Sequence, residues 1–147
     1  MSATDQRFVG KSTCVESFDC RDARLTMRND QGLTVITITG EIYASNVDEV
    51  KARARALVPR GGALIVDLGR IDFIGVAGLG VILSLDTECA RAGTVWALIP
   101  GISVSRLLRV GDPDGALPTV GSYMDALRYV RKAMPEGQRL RLVAPTN

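Results

Sequence analysis

Residues 62–85 join a short apolar run to a longer helical pattern through a turn crowded with glycine, and few folds accommodate that order. Residues 63–68 (Ala, Leu, Ile, Val, Asp, Leu) follow the pair Gly61-Gly62. A near-continuous apolar run of this length suits a strand covered on both faces of a sheet. From Leu79 the period becomes that of a helix. Leu79, Ile82, Leu83 and Asp86 fall on one stripe and Val81, Leu85 and Cys89 on the next, which predicts a helix buried over most of its surface. Gly75, Gly78 and Gly80 crowd the junction. Glycine there lets the backbone bend sharply and approach another molecule, and a helix start offers amide donors.

The flanking segments read as further strands and helices of the same domain. Residues 24–28 alternate charged and apolar side chains and predict an edge strand; Asn29-Asp30-Gln31-Gly32 supplies a turn, and the β-branched run 33–39 returns as its antiparallel partner. Ser45 with Asp48 three residues on resembles a capping box, and Val47, Val50, Ala54, Leu57 and Val58 recur at helical spacing behind it. Lys51, Arg53 and Arg55 take the wet side of that helix and read as solvated charges. After the central helix, Arg91-Ala92-Gly93 supplies a stop and residues 94–99, with Trp96, form another buried strand. Strand, helix and strand in this order predict a parallel crossover. A short helix through Val104, Leu107, Leu108 and Val110 follows, then a weak strand at 117–120 that Pro118 confines to an edge. A last helix is capped by Ser122 with Asp125 and carries Tyr123, Leu127, Val130 and Met134 on one stripe.

The expected architecture is one α/β domain over residues 23–134, a mixed β-sheet with an N-terminal antiparallel hairpin followed by αβ units and helices packed on the sheet. Residues 1–22 read as a flexible N-terminal segment and 135–147 as a tail in which Leu140, Leu142 and Val143 could lie against the domain. At 147 residues and 46% hydrophobic the chain can build its own core. No segment reaches the ~18 continuous apolar residues of a membrane helix, and the polar start lacks a signal-peptide core, so a cytoplasmic location is expected.

Chemistry is constrained mainly by what the composition lacks. Histidine is absent, which excludes Ser-His-Asp and Cys-His catalysis and every His-containing zinc site. Cys14, Cys20 and Cys89 show no Cys-x-x-Cys spacing; Cys89 reads as a core residue, while Cys14 and Cys20 are candidates for a redox-sensitive bridge or simply two reduced thiols. Basic residues number 18 against 16 acidic ones and are scattered, which argues against nucleic acid as the main partner. Glu41, Asp67 and Asp72 lie near strand ends, but no nucleophile, metal cluster or phosphate-binding lysine accompanies them. No enzyme, metal or cofactor is expected. Asp67 resembles the acceptor of a receiver domain, yet that fold also needs an early acidic pair and a late lysine.

The central strand, Asp72-Phe73-Ile74, a small-residue turn, Gly78-Leu79-Gly80 and the helix opening Val81-Ile82-Leu83 together resemble the signature of STAS domains, the family of anti-sigma factor antagonists and their relatives. Gly40-Glu41-Ile42 is similar to the step that closes the second strand there; family members often place an acidic residue next, where this chain has Tyr43. The family turn reads Asp-Ser-Ser/Thr-Gly-Leu-Gly, and its second hydroxyl residue accepts phosphate from a partner kinase. Here Gly75, Val76 and Ala77 stand in those places, so the resemblance implies the scaffold without the phospho-acceptor. It implies a non-catalytic domain that binds an anti-sigma factor of the serine-kinase type and so releases a sigma factor, with no direct nucleic-acid or membrane partner. Tyr43, Gly75, Val76, Ala77, Gly78, Leu79 and Ser84 are the expected contact residues; a homodimer is left open. The competing reading is a ligand- or nucleotide-sensing module that receives an anion at the amides of residues 76–79, or one that binds a different partner.

Overall fold

The computed structural model describes residues 13–135. Six strands, β1 (Thr13–Cys20), β2 (Ala23–Asp30), β3 (Leu33–Ile42), β4 (Ala63–Asp67), β5 (Ile71–Ile74) and β6 (Val95–Ile99), form one mixed sheet in the order β1-β2-β3-β4-β6, with β5 paired to β3. The helices are α1 (Val47–Ala56), α2 (Leu79–Ala92), α3 (Gly101–Gly111) and α4 (Tyr123–Ala133). The first three strands are antiparallel and the remaining pairings parallel. The predicted hairpin is therefore present, and β4, α2 and β6 form the parallel crossover.

β3 is the strand that places the site. It is ten residues long, and its two halves have different neighbours: residues 33–37 pair with β4, whereas Gly40, Glu41 and Ile42 pair with β5 across a register shift. Gly40 sits at that shift with φ +93°, and a Cβ there would stand 2.2 Å from the Asp22 carbonyl oxygen, so only glycine fits. The shift carries β5 beyond the end of β4 and delivers the following turn to one end of the sheet.

Two cores hold the layers together. α1, α2 and α3 cover one face, where Leu25, Ile36, Ile38, Leu64, Val66 and Leu98 meet Val50, Val81, Ile82, Leu85 and Val104. α4 covers part of the other face through Ala126, Val130 and Met134, packed on Leu33, Val35, Ala63, Ile65, Ala97 and Ile99. Burying one such valine or leucine contributes about 1.5–3 kcal/mol, so two-sided burial explains why β4 reads as an unbroken apolar run.

Several expectations are corrected. Residues 13–22, assigned above to a flexible segment, form β1 and its turn, so residues 24–28 lie in an inner strand and β1 takes the edge. α2 buries only Val81, Ile82, Leu85 and Cys89; Leu83 and Asp86 are exposed, and Asp86 accepts a 3.0 Å hydrogen bond from the Trp96 indole. Ser45 does not cap α1: the flanking residue is Asn46, whose side chain binds backbone outside the helix. Ser122 does cap α4, accepting from the Asp125 amide at 3.1 Å. The weak strand at 117–120 reduces to a single parallel bridge, Leu98 with Thr119. The expectations for residues 1–12 and for the tail with Leu140, Leu142 and Val143 lie outside the described residues.

Candidate functional site

β5 buries Ile71 and Ile74 and exposes Asp72 and Phe73 between them. Gly75 then continues in extended conformation, its amide donating to the Ile42 carbonyl at 2.9 Å, and Val76–Gly78 closes as a 3₁₀ turn through Gly78 N–H to Gly75 C=O at 2.8 Å. The turn passes directly into α2. Gly78 is its buried anchor: a Cβ there would lie 2.4 Å from Ile74 Cγ1. Pinned at Gly78, the turn leaves Ala77 exposed and Val76 79% exposed.

A second wall stands beside the turn. Phe73, 47% exposed, contacts Tyr43 with ring centroids 5.2 Å apart. The Tyr43 hydroxyl donates to Glu41 Oε1, and that carboxylate, by stabilising the protonated phenol, holds Tyr43 above its usual ionisation range. On the other side of Phe73, α3 is tied to β5 by Ser103 Oγ donating to the Asp72 carbonyl at 3.3 Å. Between β5, the turn and α3 runs a groove of about 580 Å³, lined by Phe73, Val76, Leu79, Leu107 and Val110, with Arg106 as its cation. Val110 is 83% exposed. Neighbouring apolar side chains left in water at one end of a sheet are a feature of docking surfaces.

The structure brings Gly75, Val76, Ala77 and Leu79 together and adds Tyr43 through its contact with Phe73. Gly78 lies inside the turn as a packing residue. Ser84 is set apart, because it lines a different hollow, between α2 and α1. Phe73, Arg106 and Val110 were missed by sequence reasoning; the available signals were an aromatic residue in a segment too short for periodicity, and Val110 off the stripe of Val104 and Leu108.

The remaining acidic candidates are engaged in different ways. Asp67 Oδ1 accepts from the Gly69 amide at 2.9 Å, Glu41 is engaged by Tyr43, and Asp72 lies on the groove. Cys14 and Cys20 belong to the same paired strand, six residues and about 20 Å apart along it, whereas a disulfide needs α-carbons within about 7 Å. A bridge between them would require unpairing β1. Cys20 and Cys89 are buried free thiols, both raised in pKa, chiefly by burial, Cys89 to about 12. No helix among the described residues is long and apolar enough to cross a membrane.

Fold and site define a class: mixed-sheet α/β domains that present a strand–turn–helix junction at the end of the sheet. The model of the STAS domain family matches residues 24–109, from β2 into α3, and the chain belongs to that family. Among curated relatives, it is 30% identical over 116 residues to osmosensory protein A of Mycobacterium tuberculosis, covering 76% of this chain and 72% of that protein. It is 36% identical over 61 residues to the putative anti-sigma factor antagonist BtrV of Bordetella bronchiseptica, covering 41% of this chain and 53% of that one. Among solved structures, an anti-sigma factor antagonist from Mycobacterium paratuberculosis superposes with a TM-score of 0.65 at 22% identity, over 74% of this chain and 94% of that chain, a likeness of fold.

Proposed function

We propose that this chain is a non-catalytic, cytoplasmic anti-sigma factor antagonist that docks through the turn at residues 75–79 and the neighbouring groove onto an anti-sigma factor of the serine-kinase type. The carrying observation is the turn itself, pinned by buried Gly78 so that Val76 and Ala77 stand in solvent beside Phe73 and Val110. Ala77 occupies the acceptor place of the family turn and has no oxygen to phosphorylate. Charge therefore cannot be added there by a kinase, and binding is not switched at this residue. Ser84, about two helical turns further on and facing α1, is not a substitute acceptor. The test is a competition assay in which the full chain is added to a complex of such an anti-sigma factor with its sigma factor. Release of the sigma factor, undiminished by prior incubation with ATP, is expected; retention at tenfold excess, or release abolished by ATP together with phosphate on residues 76–84, would overturn the reading.

A second reading is favoured by the groove. Its volume of about 580 Å³ and its apolar walls, with Arg106 and Asp72 as the charged groups, suit a small amphipathic ligand, which would make the domain a ligand sensor. That reading predicts that such a compound raises the melting temperature and that Arg106→Ala abolishes the rise.

A further inference from the structure

We propose that the groove between α1 and α2 is a docking site for an acidic segment of a protein partner, recognised by Arg55, Arg60 and Arg91 around the single carboxylate of Glu88. These four side chains line a hollow of about 480 Å³ floored by Ala56, Val58 and Ala92. Three guanidinium groups against one carboxylate leave a surplus of two positive charges. Glu88 does not satisfy its neighbours: Arg55 Nη2 lies 3.5 Å and Arg91 Nη1 3.9 Å from the same oxygen, Oε1. Charge-assisted hydrogen bonds run at about 2.7–2.9 Å, so both guanidinium groups retain donors for another anion. Arg60 pairs with no carboxylate among the described residues.

Helix electrostatics account for only part of this cluster. Arg55 and Arg91 stand near the C-terminal ends of α1 and α2, where cations favour the helix dipole. Arg60 belongs to neither helix, lying in the connection from α1 to β4. The solvated-charge reading of α1 also fails to treat its cations alike, since Arg53 stacks over the Phe18 ring at 4.5 Å whereas Arg55 faces the groove.

The shape favours an extended segment over a compact ion. A second hollow of about 320 Å³ shares Arg55, Glu88 and Arg91 and continues along α2 past Thr87, Ser84 and Leu83 to Gly80. Gly80 to Arg91 spans about 16 Å of helix, the length of roughly five extended residues. Leu83, 43% exposed, provides an apolar contact, and the Ser84 and Thr87 hydroxyls provide uncharged hydrogen-bonding groups. The occupant is therefore a short stretch with neighbouring carboxylates and at least one apolar residue. This inference does not depend on the turn being an interface.

The test uses the full-length chain at low ionic strength with fluorescently labelled hexaglutamate, read by anisotropy and by backbone amide NMR shifts. Saturable binding is expected, with the largest shifts at Arg60, Leu83, Ser84, Thr87 and Arg91. Arg60→Gln with Arg91→Gln should weaken it at least about fivefold, and Arg128→Gln with Lys132→Gln on α4, the same change in net charge, less than about twofold. Ala77→Glu should leave hexaglutamate affinity unchanged while weakening anti-sigma factor binding at the turn roughly thirtyfold, which separates the two sites. Equal losses in the two double variants, with parental melting in both, would reduce the effect to net charge and overturn the proposal. Displacement of the peptide by inorganic phosphate at equal charge concentration, or tighter binding of a six-residue oligothymidine, would overturn the choice of occupant.

Discussion

Three glycines crowd the turn, and the structure gives them different tasks. A Cβ at Gly78 would meet Ile74 at 2.4 and 2.6 Å, in the buried part of the junction. Gly75 has φ −79°, open to any residue, and its nearest neighbour would be 3.7 Å away; Gly80, within α2, would meet Lys51 Nζ at 3.8 Å. Gly78→Ala should therefore cost about 1–3 kcal/mol by overpacking, Gly75→Ala less than about 0.5, and Gly80→Ala should stabilise by about 0.5–1 through helix propensity. Urea denaturation of the three variants measures this, and equal losses would contradict it. Cys89 gives a second prediction at this scale. Its thiol holds its proton to about 12 in the fold but ionises near 8.5 when unfolded. The stabilisation is fully present below about pH 8.5. Above that the unfolded chain binds fewer protons than the native one, so stability falls with rising pH, by up to about 1.4 kcal/mol per unit from this group. Cys89→Ala should remove one proton's worth of that slope between pH 8.5 and 10; Cys20, shifted the same way, leaves a residual slope.

Among the elements, α1 and α4 begin by different devices. The buried Asn46 side chain accepts from the Tyr43 amide at 2.8 Å and donates to the carbonyls of Cys20 and Glu41 at 3.1 and 3.0 Å, joining the ends of β1 and β3 to the start of α1. Ser122 makes a single exposed capping bond. Asn46→Ala should cost about 2–3 kcal/mol because it strands buried backbone groups, and Ser122→Ala about 1; chemical denaturation that ranked them in reverse would contradict this. The same contrast explains what was legible in the sequence. Strong periodicity revealed β2, β3, β4, β6 and all four helices. β5 was missed because its four residues bury the two ends and expose the middle, which matches neither period. β1 was missed because its apolar residues, Cys14, Val15, Phe18 and Cys20, do not alternate strictly along the strand, and Ser45 was preferred as a cap because the tertiary use of Asn46 leaves no local signal.

Across the whole molecule, the division of β3 between β4 and β5 sets the turn at one end of the sheet, and α3 then completes a groove beside it. The turn was legible because its composition and the family pattern lie within a few residues of sequence. The groove was not: Phe73 comes from β5 and Arg106 and Val110 from α3, and they meet only through the α3–β5 contact. Ser84 was grouped with the turn because it follows it on α2, yet the helix rotates it toward α1. The central claim, that the exposed turn is the docking surface, is tested most directly by Ala77→Glu, studied by thermal melting and by titration calorimetry against the anti-sigma factor. Ala77 is exposed in the free chain, so the variant should melt like the parent, whereas burying an unpartnered carboxylate at the interface should cost at least ~2 kcal/mol, or roughly thirtyfold in affinity. A variant that melts like the parent and binds the anti-sigma factor equally well would contradict the claim.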